Sequence, residues 1–294
     1  MGDDQAITHT IGITGATGGL GGRVAARLAR RGIPQRLIVR DLNRAPELPG
    51  ASAAMAPYED MPAFERAVKG ADTLFLVSAT ESADRVDQHI SAVDAAVAAG
   101  VTRIVYLSFL SAAPASTFTF ARDHFYTEAH IRSTGVAHTF LRPSFYLDVL
   151  PHWADDSGVI RGPAGQGRVA WVSRDDIADV AVAVLTEGAA HDGASYDVTG
   201  PEAVTMGETV ERLSTLTGKT VRYVPETWEE ALASRRPTGA PEWEVEGWAS
   251  SYAAIASGEM DVVSATVPHL TGHPAQSIEG FLRTHPSALN HVYA

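Results

Sequence analysis

The chain has 294 residues, 23 of them basic and 35 acidic, for a net charge of −12. Its length suits one large core or two small ones, and its acidity is poor for nucleic acid, whose phosphates need a basic face. With no cysteine at all, disulfides, thiolate zinc sites, iron–sulfur clusters and cysteine nucleophiles are excluded.

Met1–His9 is polar and acidic, unlike a secretory signal. No apolar run approaches the roughly 20 residues of a membrane span. The expectation is a soluble cytoplasmic protein, monomer or homodimer, whose partner is a small molecule rather than a membrane or a nucleic acid.

The first predicted strand, Ile11–Thr14, runs into Gly15-Ala16-Thr17-Gly18-Gly19-Leu20-Gly21. An amphipathic segment follows, with Val24, Ala25, Leu28 and Ala29 on one face. Strand, glycine turn and helix form an anion site, because bare backbone N–H groups and the positive end of a helix dipole face the same point. Gly15 would permit the turn, Gly18 would leave room for phosphates, and Gly21 would let the helix approach the strand. The glycine spacing is weak evidence alone; its place at the start of a βα unit makes it a candidate dinucleotide loop.

Further predicted strands are Arg36–Arg40, Ser52–Ala56, Thr73–Ser78, Arg103–Ser108 and His138–Pro143. Helical patterns between them cover Gly19–Arg31, Met61–Lys69, Asp84–Ala99 and Arg122–Ser133. Leu74–Val77 and Ile104–Leu107 are continuous apolar runs, as strands buried on both faces require. The alternation predicts a Rossmann-type α/β fold, a doubly wound parallel sheet whose ligand lies at the carboxyl ends of the strands.

Those strand ends supply candidate cofactor contacts. Arg40 ends the second strand, nineteen residues after Gly21, where an NAD-specific site usually has an acid. Arg40 and Arg44 suit a 2′-phosphate, so NADP(H) is favoured, although adjacent Asp41 leaves NAD(H) or dual use open. Ser78-Ala79-Thr80 ends the fourth strand, where small residues would let the adenine-side ribose and pyrophosphate lie over it; Ser108 and Arg142-Pro143-Ser144 end the fifth and sixth, which converge where the nicotinamide should lie.

Beyond about Leu147 the pattern loosens. Gly158–Val172 reads as loop plus strand, Arg174–Glu187 as helix, Tyr196–Thr199 as strand, Thr205–Thr217 as helix and Thr220–Val224 as strand. Arg235–Pro241 reads as a turn-rich loop, with helix-like segments to about Leu282. The expected division is a Rossmann domain over 1–150 and a smaller α/β substrate lobe over 151–294, with elements exchanged between them.

These motifs, together with Ala95–Val101, Asp123–Glu128, Phe140-Leu141-Arg142, Arg174-Asp175-Asp176, Tyr196–Gly200 and Thr271–Pro274, resemble the NmrA-like group of the atypical short-chain dehydrogenase/reductase superfamily. Within it, the NADPH-dependent quinone oxidoreductase type, subfamily 2, is most similar. The resemblance covers nearly the whole chain. It implies a pyrophosphate loop at Gly15–Leu20, a 2′-phosphate contact at Arg40, and Ser144, Phe145, Tyr146, Leu147, Asp148 and Val149 along the nicotinamide and substrate side. Arg174 would reach into the same cleft.

The larger superfamily carries a Tyr-x-x-x-Lys pair, which by spacing from Arg142 falls at Phe120 and His124. The quinone-reducing group has histidine in the lysine place, so the resemblance makes His124 the catalytic candidate, holding the ribose or giving a proton near neutral pH. Glu128, one turn on, would orient it or stabilise its cation. Tyr126-x-x-x-His130 is two residues out of register, a rotation of about 200° on a helix. Quinones are good hydride acceptors and need little proton donation in the transition state.

Other signals are discounted. Gly272 and Pro274 disrupt any helix that would align His269 with His273, so no metal site is expected. Trp243, Trp248 and Tyr252 read as core or lid packing, and Asp175-Asp176 as a helix start. The leading expectation is hydride transfer from NADPH to a quinone or similar conjugated carbonyl. A non-catalytic NADP-binding sensor and a tailoring ketoreductase of aromatic natural products remain as alternatives.

Overall fold

The computed structural model describes residues 9–292; residues 1–8, most of the stretch read as non-secretory, lie outside them. In chain order the first half comprises β1 (Ile11–Thr14), α1 (Gly21–Arg30), β2 (Gln35–Val39), β3 (Ala51–Met55), α2 (Met61–Val68), β4 (Thr73–Val77), α3 (Arg85–Ala98), β5 (Arg103–Leu107), α4 (Thr119–Ser133) and β6 (Ala137–Pro143). The second half comprises β7 (Val159–Gly162), β8 (Arg168–Val169), α5 (Arg174–Glu187), β9 (Ser195–Val198), β10 (Val204–Thr205), α6 (Met206–Thr217), β11 (Arg222–Pro225), α7 (Trp228–Arg235), α8 (Glu242–Ala256), α9 (Thr266–Thr271) and α10 (Ile278–Thr284).

Seven strands form one parallel sheet in the order β3-β2-β1-β4-β5-β6-β9. Strand order reverses between β1 and β4, and the crevice at such a switch point is where open α/β sheets bind ligands. Side chains alternate along each strand. Ile13, Phe75, Val105 and Leu141 enter a core with Val24 and Leu28 of α1 and with Val180 and Val184 of α5. Leu74, Ile104, Tyr106 and Phe140 enter the opposite core with Phe64 and Val93. Burial on both faces explains the unbroken apolar runs of β4 and β5.

The C-terminal half supplies part of this sheet. β9 pairs with β6, and α5 and α9 bury Val180 and Val267 in the same core as β1. Chain past residue 150 therefore returns to the main sheet, and two small sheets complete the other lobe. β7 pairs in parallel with β11, and β8 pairs antiparallel with β10. The Gly158–Val172 stretch thus contains two short strands in different sheets rather than one. A third core, with Ile160, Trp171, Met206, Leu213, Ile255 and Phe281, holds this lobe together.

Some boundaries differ from the sequence pattern for local reasons. α4 starts at Thr119, three residues earlier than predicted, where the Thr119 N–H donates to Ser250 Oγ of α8 at 3.1 Å. Helix continues through Arg235, because Arg235 donates to Glu226 and to the Arg161 carbonyl and so anchors α7 against β7. No helix among the described residues is long and apolar enough to cross a membrane.

Candidate functional site

A cleft of about 1100 Å³ runs from the switch point of the sheet into the C-terminal lobe. Its first half is built from the loop after β1. Gly15 has φ +64°, the left-handed conformation that a residue with Cβ resists. A Cβ on Gly21 would lie 2.4 Å from the Gly15 carbonyl oxygen, so helix and loop touch through backbone alone. At the start of α1 the Gly22 N–H donates to the Gly18 carbonyl at 3.1 Å and the Val24 N–H to the Leu20 carbonyl at 3.0 Å, and the positive end of the helix dipole at the cleft favours an anion there.

Tyr58 closes the loop from behind. Its hydroxyl lies 2.6 Å from both Thr14 Oγ1 and the Val77 carbonyl, joining the ends of β1 and β4. Burial pushes the phenol well above its ordinary value, so it stays neutral. Arg40 lines the cleft beyond Tyr58 and makes no ion pair among the described residues. Asp41, which left the cofactor open in the sequence, accepts a hydrogen bond from the Asn43 N–H at 2.9 Å and caps the turn Leu42–Arg44. Arg40 thus brings an unpaired guanidinium to this end of the cleft, and its fork geometry fits a 2′-phosphate.

The second half of the cleft is aromatic. Phe109, Phe118, Phe120, Phe145, Trp153, Trp248 and Tyr252 line it. Phe109, Phe118 and Phe145 pack with centroids 5.0–5.4 Å apart. Phe120 occupies the tyrosine position and faces the cleft; a Cβ on Gly247 of α8 would fall 2.1 Å from its Cζ. Arg235, Glu244 and Ser251 give this chamber a polar rim.

His124 sits where the two halves meet. It is 5 % exposed, stacks on Phe109 and lies 2.9 Å through Nδ1 from the Tyr106 hydroxyl. Nε2 has no hydrogen-bond partner among the described residues. Burial, followed by the charges of Arg85 and His89, holds its pKa well below the ordinary histidine range. The imidazole is therefore neutral, and the expectation that it carries a proton to give near neutral pH does not match this setting. Nor does Glu128 orient it. That carboxylate accepts hydrogen bonds from Ser108, Arg132 and Arg142 at 2.5–3.1 Å.

His89 lies behind His124. The Ala79 N–H donates to its Nε2 at 2.8 Å, so the ring proton resides on Nδ1. Nδ1 donates to Thr127 Oγ1 at 2.8 Å, and Thr127 donates to the Asp123 carbonyl at the same distance. Burial and the charge of Arg85 lower the His89 pKa to about 3. Arg85 Nε donates to the Ala79 carbonyl at 2.9 Å. Both backbone groups of Ala79, in the loop that lines the cleft, are thus held by side chains of α3.

Of the sequence candidates, Gly15, Thr17, Gly18, Gly19, Leu20, Arg40, Ser78, Ala79, Thr80, Ser108, His124, Phe145, Tyr146, Val149 and Arg174 line this cleft. Ala16, Pro143, Ser144 and Leu147 are buried beneath it, and Arg44 is set apart on its own turn. Asp148 faces α1 and α5, pairing with Arg23 at 3.0 Å and accepting from the Arg174 N–H at 2.9 Å. Tyr126 is 50 % exposed and away from the cleft. His269 and His273 form no metal-binding cluster among the described residues. Tyr58, Arg85 and His89, and the chamber residues Phe109, Phe118, Trp153 and Arg235, were missed. Trp248 and Tyr252, whose spacing predicts packing, also line the cleft. None of these lies in a local motif, because they come from separate elements that meet only in the fold.

Comparisons with known proteins agree with this geometry. A family model described as NAD(P)H-binding matches residues 15–188. The chain is 32 % identical to an NAD(P)H azoreductase of Xenophilus azovorans over 94 % of its length and 98 % of the relative's. It is 32 % identical to quinone oxidoreductase 2 of Escherichia coli, covering 91 % and 96 % of the two chains. The crystal structure of that oxidoreductase complexed with NADPH superposes with a TM-score of 0.85, covering 94 % of this chain and 99 % of the other. NmrA, a negative transcriptional regulator, shares the fold at 17 % identity and a TM-score of 0.74, each chain covered to 94 %. The chain belongs to the NAD(P)H-binding family, among its NAD(P)H-dependent oxidoreductases.

Proposed function

We propose that this protein transfers hydride from NADPH to a quinone or similar conjugated carbonyl held in the aromatic chamber. The observation that carries this reading is the continuity of one cleft from the glycine loop, past a neutral histidine, into a wall of aromatic rings. Bound NADPH supplies a hydride and its two electrons. The cradle fits such a group, since Gly15, Gly18 and Gly19 line the cleft without side chains and Arg40 lines it as an unpaired cation.

The chain's own residues then do three things. Phe109, Phe118, Phe145 and Trp153 hold a flat acceptor by offset and edge contacts and exclude water around it. In our reading Tyr106 donates to His124 Nδ1, its shortest hydrogen-bond contact, which leaves the His124 proton on Nε2. That N–H is a neutral donor for the oxygen that gains charge as hydride arrives. The hydroquinone anion takes its proton from solvent as it leaves the chamber, and its weak basicity makes a strong acid at Phe120 unnecessary.

Phe120 also favours a second reading, an NADP-binding regulator without turnover, because the cleft lacks the superfamily's tyrosine. One experiment decides between them. NADPH oxidation is followed by loss of the dihydronicotinamide absorbance with a panel of benzoquinones, naphthoquinones, enones and aromatic ketones. Turnover with quinones supports the proposal. Tight NADPH binding without turnover on any of them supports the regulator.

A further inference from the structure

The joint between α1 and α5 holds three arginines and three aspartates whose charges do not pair evenly. Arg23 binds Asp148 at 3.0 Å and Asp175 at 3.2 Å. Arg27 binds Asp175 and Asp179, each at 2.7 Å. These two arginines engage all three carboxylates. The third, Arg174, uses only its backbone N–H, donated to Asp148 Oδ2. Among the described residues its guanidinium has no ion pair and no hydrogen bond. It lies 5.2 Å from the Tyr146 ring centroid, and a Cβ on Gly19 would lie 3.2 Å from its Nη1.

This placement is locally unfavourable. Arg174 is the first residue of α5, after the Ser173 cap, where the helix dipole disfavours a cation. Its neighbourhood already contains the positive end of α1. A half-buried guanidinium beside backbone N–H donors and without a counterion is a site for an external anion. Local rules are broken in this way where function requires it.

We infer that Arg174 clamps the pyrophosphate of the dinucleotide against the Gly18–Gly19 turn, rather than contacting the hydride acceptor. Tyr146 is the platform that holds the guanidinium flat over the loop. Because Arg174 opens α5, cofactor binding ties the returning segment of the chain to the glycine loop of β1. The inference concerns cofactor binding and stands whether or not a quinone is the acceptor.

The test uses Arg174→Ala and Arg174→Lys in the full chain, with calorimetric binding of NADP⁺ and of adenosine 2′-monophosphate, which has the 2′-phosphate but no pyrophosphate. Arg174→Ala should weaken NADP⁺ about 10- to 100-fold, the scale of a charge-assisted hydrogen bond. It should leave adenosine 2′-monophosphate within about twofold, and Arg174→Lys should restore part of the loss. The rise in Tm on adding NADP⁺ should shrink in parallel, and far-ultraviolet dichroism of the apo variants reports folding independently. Unchanged NADP⁺ affinity, equal loss for both ligands, or a raised acceptor KM with cofactor affinity intact would each overturn the assignment.

Discussion

The Tyr106 hydroxyl lies 2.9 Å from His124 Nδ1 and 3.5 Å from His89 Nδ1. A strand residue thereby stands between a histidine of α3 and one of α4, with all three side chains buried. If Tyr106 fixes the His124 tautomer, the two residues act on the same step. His124→Ala should lower turnover about 10- to 100-fold, or about 1.4–2.7 kcal/mol of barrier, without abolishing it. Tyr106→Phe should cost a smaller factor, about 3- to 10-fold in kcat, with KM for NADPH unchanged. Steady-state kinetics on a good quinone checks both, and wild-type rates in His124→Ala would make the residue structural.

The two histidines beside Tyr106 set a dependence on pH. His89 and His124 have folded pKa values below the ordinary 6.5. Unfolded chain therefore binds more protons between about pH 3 and 6.5, and stability falls as pH drops through that window. Each neutral histidine contributes a loss of up to about 1.4 kcal/mol per pH unit. Urea midpoints measured from about pH 7.5 to 5 should decline already near pH 6, above the carboxylate range. His89→Gln should flatten that slope, and an unchanged slope would show that His89 is not buried neutral.

Cofactor choice should rest on Arg40. Arg40→Ala should weaken NADPH by about 1.5–3 kcal/mol and leave NADH nearly unchanged, since only the former carries the 2′-phosphate. Calorimetry with both cofactors separates a phosphate contact from a general loss of positive charge, which would weaken the two equally.

Two glycines of the loop should fail differently. A Cβ on Gly21 meets the backbone of Gly15 and Thr14 at 2.4–2.7 Å, so Gly21→Ala forces helix and strand apart. Overpacking of that kind costs about 1–3 kcal/mol, and thermal melts should show it without ligand. A Cβ on Gly18 meets only the Gly15 carbonyl, at 3.2 Å. Gly18→Val should keep its Tm within a few degrees and lose NADPH binding, because the obstruction faces the ligand. Equal loss of Tm in both variants would refute the distinction.

By itself, the sequence determined the first six strands of the main sheet and the cofactor loop; that β9 returns to the same sheet only the fold decided. Apolar runs such as Leu74–Val77 can be satisfied only by a strand buried on both faces, and Gly15, Gly18 and Gly21 mark a βα turn through backbone geometry that few residues tolerate. Both signals are local, carried by neighbours within one element. Tertiary structure alone decided what surrounds His124. Helical register put it on the cleft side of α4, but Glu128, one turn away, belongs to Arg142 and Ser108 instead. The partner of His124 is Tyr106, eighteen residues earlier on another element. Likewise Arg174 stands in the sequence beside Asp175 and Asp176, and only the tertiary structure shows that Asp175 is taken by Arg23 and Arg27 and Asp176 by the Gln276 N–H. Burial and charge pairing depend on elements distant in sequence, so they do not exist as properties of the chain until it has folded.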